Sequence, residues 1–155
     1  MANIYDLKSY DPSQSVAHLI TRVRAQMMAA LDRELAGDPQ LSELGVTSAQ
    51  FVVMVRLVGT ASRKSAADLC RELSYDAGAM TRMIDRLEAK GLVRRIRCMN
   101  DRRLIFLEAT DLGRAAYPRM REVSAAVNNR FLRGFDRAEL QQMTTILTRM
   151  LQNAD

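Results

Sequence analysis

Tryptophan is absent, histidine occurs once (His18) and cysteine twice (Cys70 and Cys98) in a chain of 155 residues. Two cysteines are too few for a disulfide scaffold or a zinc cage. A single histidine leaves Cys/His metal sites and most histidine-based acid–base chemistry without their groups. No G-x-S-x-G, P-loop or dinucleotide-binding glycine pattern occurs. The chain is therefore not expected to be an enzyme, and neither a cofactor nor a metal is expected. No apolar run approaches a membrane span, and Met1 to Asp6 lack a basic segment leading into an apolar core. A soluble cytoplasmic protein with no membrane partner is the expectation. Aromatics make up only 5% of the residues while apolar residues make up 48%, so Leu, Ala and Met must fill the core, which favours helix-on-helix packing.

What the chain does have is positive charge, a net +5 with a pI near 9.7. The excess favours an anionic partner such as nucleic acid, an acidic protein or an anionic membrane, unless it serves solubility alone, so its distribution has to decide. Between Met80 and Arg103 lie eight cations (Arg82, Arg86, Lys90, Arg94, Arg95, Arg97, Arg102 and Arg103) against three acids (Asp85, Glu88 and Asp101). That short window carries a charge equal to the excess of the whole chain.

Apolar periodicity and capping signals set out the elements. Residues 1–14 read as an arm. Val16, Leu19, Ile20, Val23, Met27, Ala30, Leu31 and Leu35 recur at helical steps from Ser15 to a stop at Gly37. Thr47 and Gln50 have capping-box spacing before an apolar helix, Phe51 to Val58. Ser65 and Asp68 repeat that spacing before a short helix, Ala66 to Leu73. Another helix follows over 76–90 with Gly91 as its stop. Leu92 to Arg97 and Leu104 to Ala109 read as strands joined by a polar turn over 98–103. Thr110 caps a helix to about Arg133, which Pro118 is expected to kink or restart. Asp136 and Glu139 cap a last helix whose Leu140, Met143, Leu147 and Met150 or Leu151 share a face. The fold class expected is mainly α with a small β-hairpin: a winged helix-turn-helix lobe over 47–110, flanked by dimerisation helices at 1–36 and 111–155.

On the helix 76–90, Met80, Met83 or Ile84, and Leu87 form an inner face, and Ala77, Gly78, Thr81, Arg82, Asp85 and Arg86 lie largely outside. Small residues permit close approach to a major groove. Thr81 has the chemistry for a thymine methyl or a phosphate, and Arg82 and Arg86 for guanine edges or phosphates. An ordinary solvated face, with Asp85 paired to Arg82 or Arg86, reads from the same residues. A thin hairpin tipped by Asn100-Asp101-Arg102-Arg103 suits a narrow minor groove, with Asp101 holding the turn or an arginine.

The stretch Met80 to Arg95, then Asn100-Asp101-Arg102-Arg103 and Leu107-x-x-Thr110-x-x-Gly113, resembles the core of the MarR family of bacterial regulators (multiple antibiotic resistance regulators). The resemblance covers nearly the whole chain. One departure is Glu108-Ala109, where that family usually has a small or apolar residue followed by Leu. The resemblance implies a two-fold dimer with interlocking terminal helices, a recognition helix at 76–90, a minor-groove contact from Arg103 or Arg102, and release from DNA by a small aromatic acid. Ser65 joins Ala77, Gly78, Thr81, Arg82, Arg86, Asp101, Arg102 and Arg103 in the expected DNA-contacting set.

The apolar stripes on the terminal helices also exceed what one small winged helix can cover, so a homodimer on a near-palindromic duplex operator is expected. His18 and Arg22, one turn apart, are candidates to hold a carboxylate or phenolate, with Met54 and Arg56 as weaker ones; a half-buried His beside a solvated Arg is the plainer reading. Cys98, beside Arg97, is a candidate redox switch or a plain surface thiol, while Cys70 reads as core. Two alternatives stand beside a ligand-released repressor: a redox-switched regulator and a winged-helix protein-interaction module. The latter has no need of arginines concentrated on one helix and hairpin.

Overall fold

A computed structural model describes residues 4–59, 63–98 and 104–154. Among these described residues six α-helices and three short strands follow one another as α1 (Val16–Gly37), α2 (Ser48–Val58), β1 (Lys64–Ser65), α3 (Ala66–Leu73), α4 (Ala77–Ala89), β2 (Val93–Arg97), β3 (Ile105–Ala109), α5 (Asp111–Phe131) and α6 (Arg137–Gln152). Each helix starts on a polar cap. Ser15, Asp76 and Thr110 accept the N–H three residues on, and Thr47–Gln50, Ser65–Asp68 and Asp136–Glu139 form reciprocal capping boxes. The fold is thus mainly helical with a small antiparallel sheet, ordered β1-β3-β2.

Three local outcomes differ from the sequence reading. Lys64 and Ser65 add a third strand, pairing with Leu107 and Phe106 of β3; two residues are too few to show an alternation. The second helix begins at Ser48, directly after its Thr47 cap, and not at Phe51. α5 runs through Pro118 without restarting. The proline costs the helix one N–H to carbonyl bond, but Gly113 before it and Met120, Val123 and Val127 after it are buried, so packing holds the helix on both sides of it.

The core joins the C-terminal half of α1 (Ala30, Leu31, Leu35) to α2, α3, α4, the sheet and α5 around the fully buried Val53, Met54, Leu69, Met80, Leu87 and Leu92. Two polar ties brace it. Asp38, buried just after α1, accepts from Nε and Nη2 of Arg119 at 2.9 and 2.8 Å, and this guanidinium holds its carboxyl below the usual range. Lys90, the residue capping the C-terminus of α4, donates to Gly45 O and, at 2.8 Å, to Gln50 Oε1, tying that end of α4 to the start of α2. Burial lowers the Lys90 pKa.

The N-terminal half of α1 and all of α6 lie outside this core. Val16, Leu19, Ile20 and Val23 are exposed, and no residue of α6 is buried. Among the described residues no helix is long and apolar enough to cross a membrane.

Candidate nucleic-acid interface

The helix α4 presents two chemically different sides. Met80, Ile84 and Leu87 are buried, with Met83 half-buried beside them. Ala77, Gly78, Thr81, Arg82, Asp85 and Arg86 are all exposed. The Asp76 side chain takes the Ala79 N–H at 2.8 Å and starts the helix squarely, and Thr81 Oγ1 donates back to Ala77 O at 2.8 Å.

The acids beside this face are already engaged. Asp85 pairs with neither Arg82 nor Arg86. It accepts instead from Nη2 of Arg95 on β2 at 2.7 Å, and Glu88 accepts from Nη1 of the same guanidinium. These bonds, that to Asp85 foremost, raise the Arg95 pKa. On the strand, Arg94 stands opposite Glu108 and donates to it through Nε and Nη2 at 3.0 and 2.6 Å. Arg94 thereby lowers the Glu108 pKa. The window of eight cations therefore divides. Arg94, Arg95 and Lys90 are spent inside the protein. Arg82, Arg86 and Arg97 are exposed and have no ion pair among the described residues. Asp101, Arg102 and Arg103, expected at the wing tip, lie outside the described residues.

Ser65 is the second residue of β1, and its hydroxyl is committed to the α3 capping box, donating to Asp68 Oδ2 at 2.7 Å and accepting from the Asp68 N–H. Cys98 is half-buried, its N–H on Leu104 O at 2.9 Å, where the hairpin closes. Cys70 is half-buried against the core.

A sequence model described as the MarR family matches residues 46–105, the stretch that holds α2, α3, α4 and β2. Over that stretch the chain is similar to the MarR family. The transcriptional repressor MdtR of Bacillus subtilis is 27% identical over 145 residues, covering 94% of this chain and 86% of that protein. Wild-type apo MarR of E. coli is 28% identical with a TM-score of 0.71, over 88% of this chain and 97% of that one. BpsR of Bordetella bronchiseptica, whose DNA binding is regulated by 6-hydroxynicotinic acid, shares the fold at a TM-score of 0.76 and 24% identity, over 91% and 96% of the two chains. The chain thus shares the winged-helix fold of these regulators.

The family motif Leu107-x-x-Thr110-x-x-Gly113 has a physical basis in this chain. Leu107 is buried in the sheet. Thr110 accepts the Gly113 N–H to start α5, donates its hydroxyl to Gly91 O, and places its own N–H on Leu92 O at 3.1 Å. Gly113 packs directly against the Leu92 carbonyl. The departure at Glu108-Ala109 leaves this corner intact. Ala109 is buried, and Glu108 lies between Arg94 and Arg114.

The ligand candidates read from the sequence do not assemble. His18 and Arg22 are exposed on the side of α1 turned away from its apolar stripe, Met54 is fully buried core, and Arg56 lies 3.9 Å from Glu72. None of the four lines a described cavity. Two other spaces stand out. An apolar groove of about 540 Å³ is walled by Leu19, Ile20 and Val23 of α1 and by Met143 and Leu147 of α6. A second space, about 770 Å³, lies between α2 and α5 beside Phe51, Tyr117, Arg121 and Asn128. There Phe51 and Tyr117 stack at 6.2 Å, and the Arg121 guanidinium stands 6.0 Å from the Tyr117 ring. Tyr117 and Arg121 are one helical turn apart, so their pairing was open to a reader of the sequence; that Phe51 faces them depends on how α2 crosses α5.

Proposed function

We propose that the protein is a homodimeric repressor that binds a near-palindromic duplex operator and releases it when a small aromatic acid binds. In this reading residues 47–110 are the DNA-binding lobe, and residues 1–36 and 111–155 bring two copies together. The observation that carries it is the division of charge on α4. Arg95 occupies both neighbouring acids, which leaves Arg82 and Arg86 with no ion pair among the described residues on an exposed face with Ala77 and Gly78. Small residues let a helix approach base edges closely, and a free guanidinium offers the planar fork that guanine O6 and N7 accept. By sequence, Arg102 or Arg103 adds a minor-groove contact, and Asp101 holds the turn.

Fluorescence anisotropy on the operator recovered by genomic-fragment selection, and on its single-base variants, tests the assignment. Arg82→Ala or Arg86→Ala is expected to cost about 1–3 kcal/mol at a particular base pair where the contact is bidentate. A pair of silent variants would remove α4 from the groove. A protein-interaction module would show no steep salt dependence with duplex, because no counterions would be displaced.

The aromatic-acid reading is supported by the space between α2 and α5, where two stacked rings and an arginine with no ion pair among the described residues match a planar anion. BpsR, regulated by a hydroxylated aromatic acid, is a structural neighbour. Arg121→Gln should leave DNA affinity unchanged without ligand. It should raise by about tenfold the 6-hydroxynicotinate or 4-hydroxybenzoate concentration that releases labelled operator, since a charge-assisted bond contributes about 1.5–3 kcal/mol. Equal sensitivity of variant and wild type would move the effector elsewhere.

A further inference from the structure

The cations between Met80 and Arg103 do not share one task, and Arg95 has one that the DNA-contacting arginines do not. Asp85 and Glu88 stand three residues apart on α4, on one side of the helix, where like charges repel. Arg95 answers both carboxylates with its two terminal nitrogens. Its backbone N–H also donates, at 3.3 Å, to Glu88 Oε1. β2 is an outer strand of the sheet, so Glu88 takes an N–H that no neighbouring strand can receive. Three hydrogen bonds thus join one residue of the wing to one face of the recognition helix.

We propose that Arg95 is a positioning residue for DNA recognition: it fixes the angle between the wing and the recognition helix by clasping β2 to Asp85 and Glu88, and does not itself reach the duplex. The proposal rests on reading α4 as the helix that enters the groove. Both terminal nitrogens of Arg95 already hold a carboxylate, so a base edge or a phosphate would have to compete with Asp85 and Glu88 for its fork. Its side chain is 33% exposed against 62% for Arg94 on the same strand. The location gives the clasp its leverage. The near end of β2 is anchored by the buried Leu92 and Val93, and only Ile96 and Arg97 follow Arg95 on the strand. A strand held at both of these points has one direction relative to α4, and β3, paired with it from Ile105 to Ala109, shares that direction. Lysine cannot substitute, because a single ammonium is not a planar fork that spans two carboxylates.

The test titrates three full-length variants against the selected operator and a random-sequence duplex of equal length, over a range of salt. They are Arg95→Met, Arg95→Lys, and Arg95→Met combined with Asp85→Asn and Glu88→Gln. Arg95→Met should lose at least tenfold on the operator. The triple variant unmasks no acid, so it should bind random duplex at or above the wild-type level with an unchanged salt slope. Its operator-over-random ratio should nevertheless stay at least fivefold low. Arg95→Lys should have a ratio between these and wild type, and it decides the matter if Arg95→Met does not fold; a wild-type ratio there overturns the proposal. A loss equal on both duplexes, with a slope shallower by about 0.9 and no recovery in the triple variant, would make Arg95 a phosphate contact. A triple variant with the full wild-type ratio would reduce the clasp to charge masking, which also overturns it. Silent Arg82 and Arg86 variants would instead remove the reading of α4, whatever Arg95 does.

Discussion

Leu147→Asp is expected to turn the protein into a monomer and to lower its affinity for a two-half-site operator by roughly 10²–10⁴-fold, the scale at which a second, linked binding event adds to the first. Leu147 is on α6, a helix with no buried residue in the single chain, and with Met143 it faces Leu19, Ile20 and Val23 of α1 across an apolar groove of about 540 Å³. Ile146, Met150 and Leu151 are exposed as well. A continuous apolar surface of this kind is unusual on a monomer, and in the proposed dimer a second copy would cover it on both partners at once through a two-fold axis. In that proposal the same axis would set two α4 helices about one duplex turn apart, which is why the affinity loss should be confined to sites with two half-sites. Because Leu147 is partly exposed in the protomer, the substitution leaves the core untouched and helical content by circular dichroism should hold. Sedimentation equilibrium reads the assembly. A variant that stays dimeric would place the interface on other helices, and a monomer that binds the full operator as well as wild type would end the bivalent account.

The helices were legible because local chemistry fixes their ends. Ser15, Thr47, Ser65, Thr110 and Asp136 each cap the helix that their spacing announces. What the sequence left open were choices made by tertiary register. Asp85 is one turn from Arg82 and next to Arg86 on its own helix, but its partner is Arg95, on a strand whose approach to α4 depends on the turn at Gly91, where the backbone is left-handed at φ 69°. Likewise, Arg94 meets Glu108 only because Val93 pairs with Ala109; a shift of one residue would put the two side chains on opposite faces of the sheet. His18 and Arg22 do share a helix face, as their spacing requires, but nothing local says which way that face points. Met54 shows the reverse case: its apolar side chain suited either a ligand pocket or a core, and the packing of α5 against α2 settled it as core. The charge window was legible as a sum and not as a surface, since three of its eight cations turn inward to partners of their own.

The corner between β3 and α5 is where the fold should be least forgiving. Gly113→Ala should cost about 3 kcal/mol, at the upper end of what overpacking a tight site does. In a domain of this size that lowers the melting temperature by roughly 6–12 °C. A Cβ there would be driven into the Leu92 carbonyl oxygen while standing 3.1 Å from the Leu92 carbonyl carbon and 3.0 Å from Met54 Cε. A flexible side chain can step aside, but a carbonyl already accepting from the Thr110 N–H is held by the sheet and cannot. The helix must then back away, and the bonds that Thr110 makes to Gly91 and Leu92 loosen with it. This corner is the direct chain connection between the wing and the helices proposed to carry the dimer, so an opened corner also changes the distance between paired recognition helices. Operator affinity should therefore fall further than stability alone explains when it is measured well below the melting range. Gly37→Ala is the matched control. A Cβ there meets nothing within 4 Å, and the lost backbone freedom of the unfolded chain should leave that variant as stable as wild type or up to about 1 kcal/mol more so. Calorimetry on the pair separates a general intolerance of lost glycines from the specific contact. If Gly113→Ala melted within about 2 °C of Gly37→Ala, the close approach of α5 to the Leu92 carbonyl would not be the reason that this motif ends in glycine.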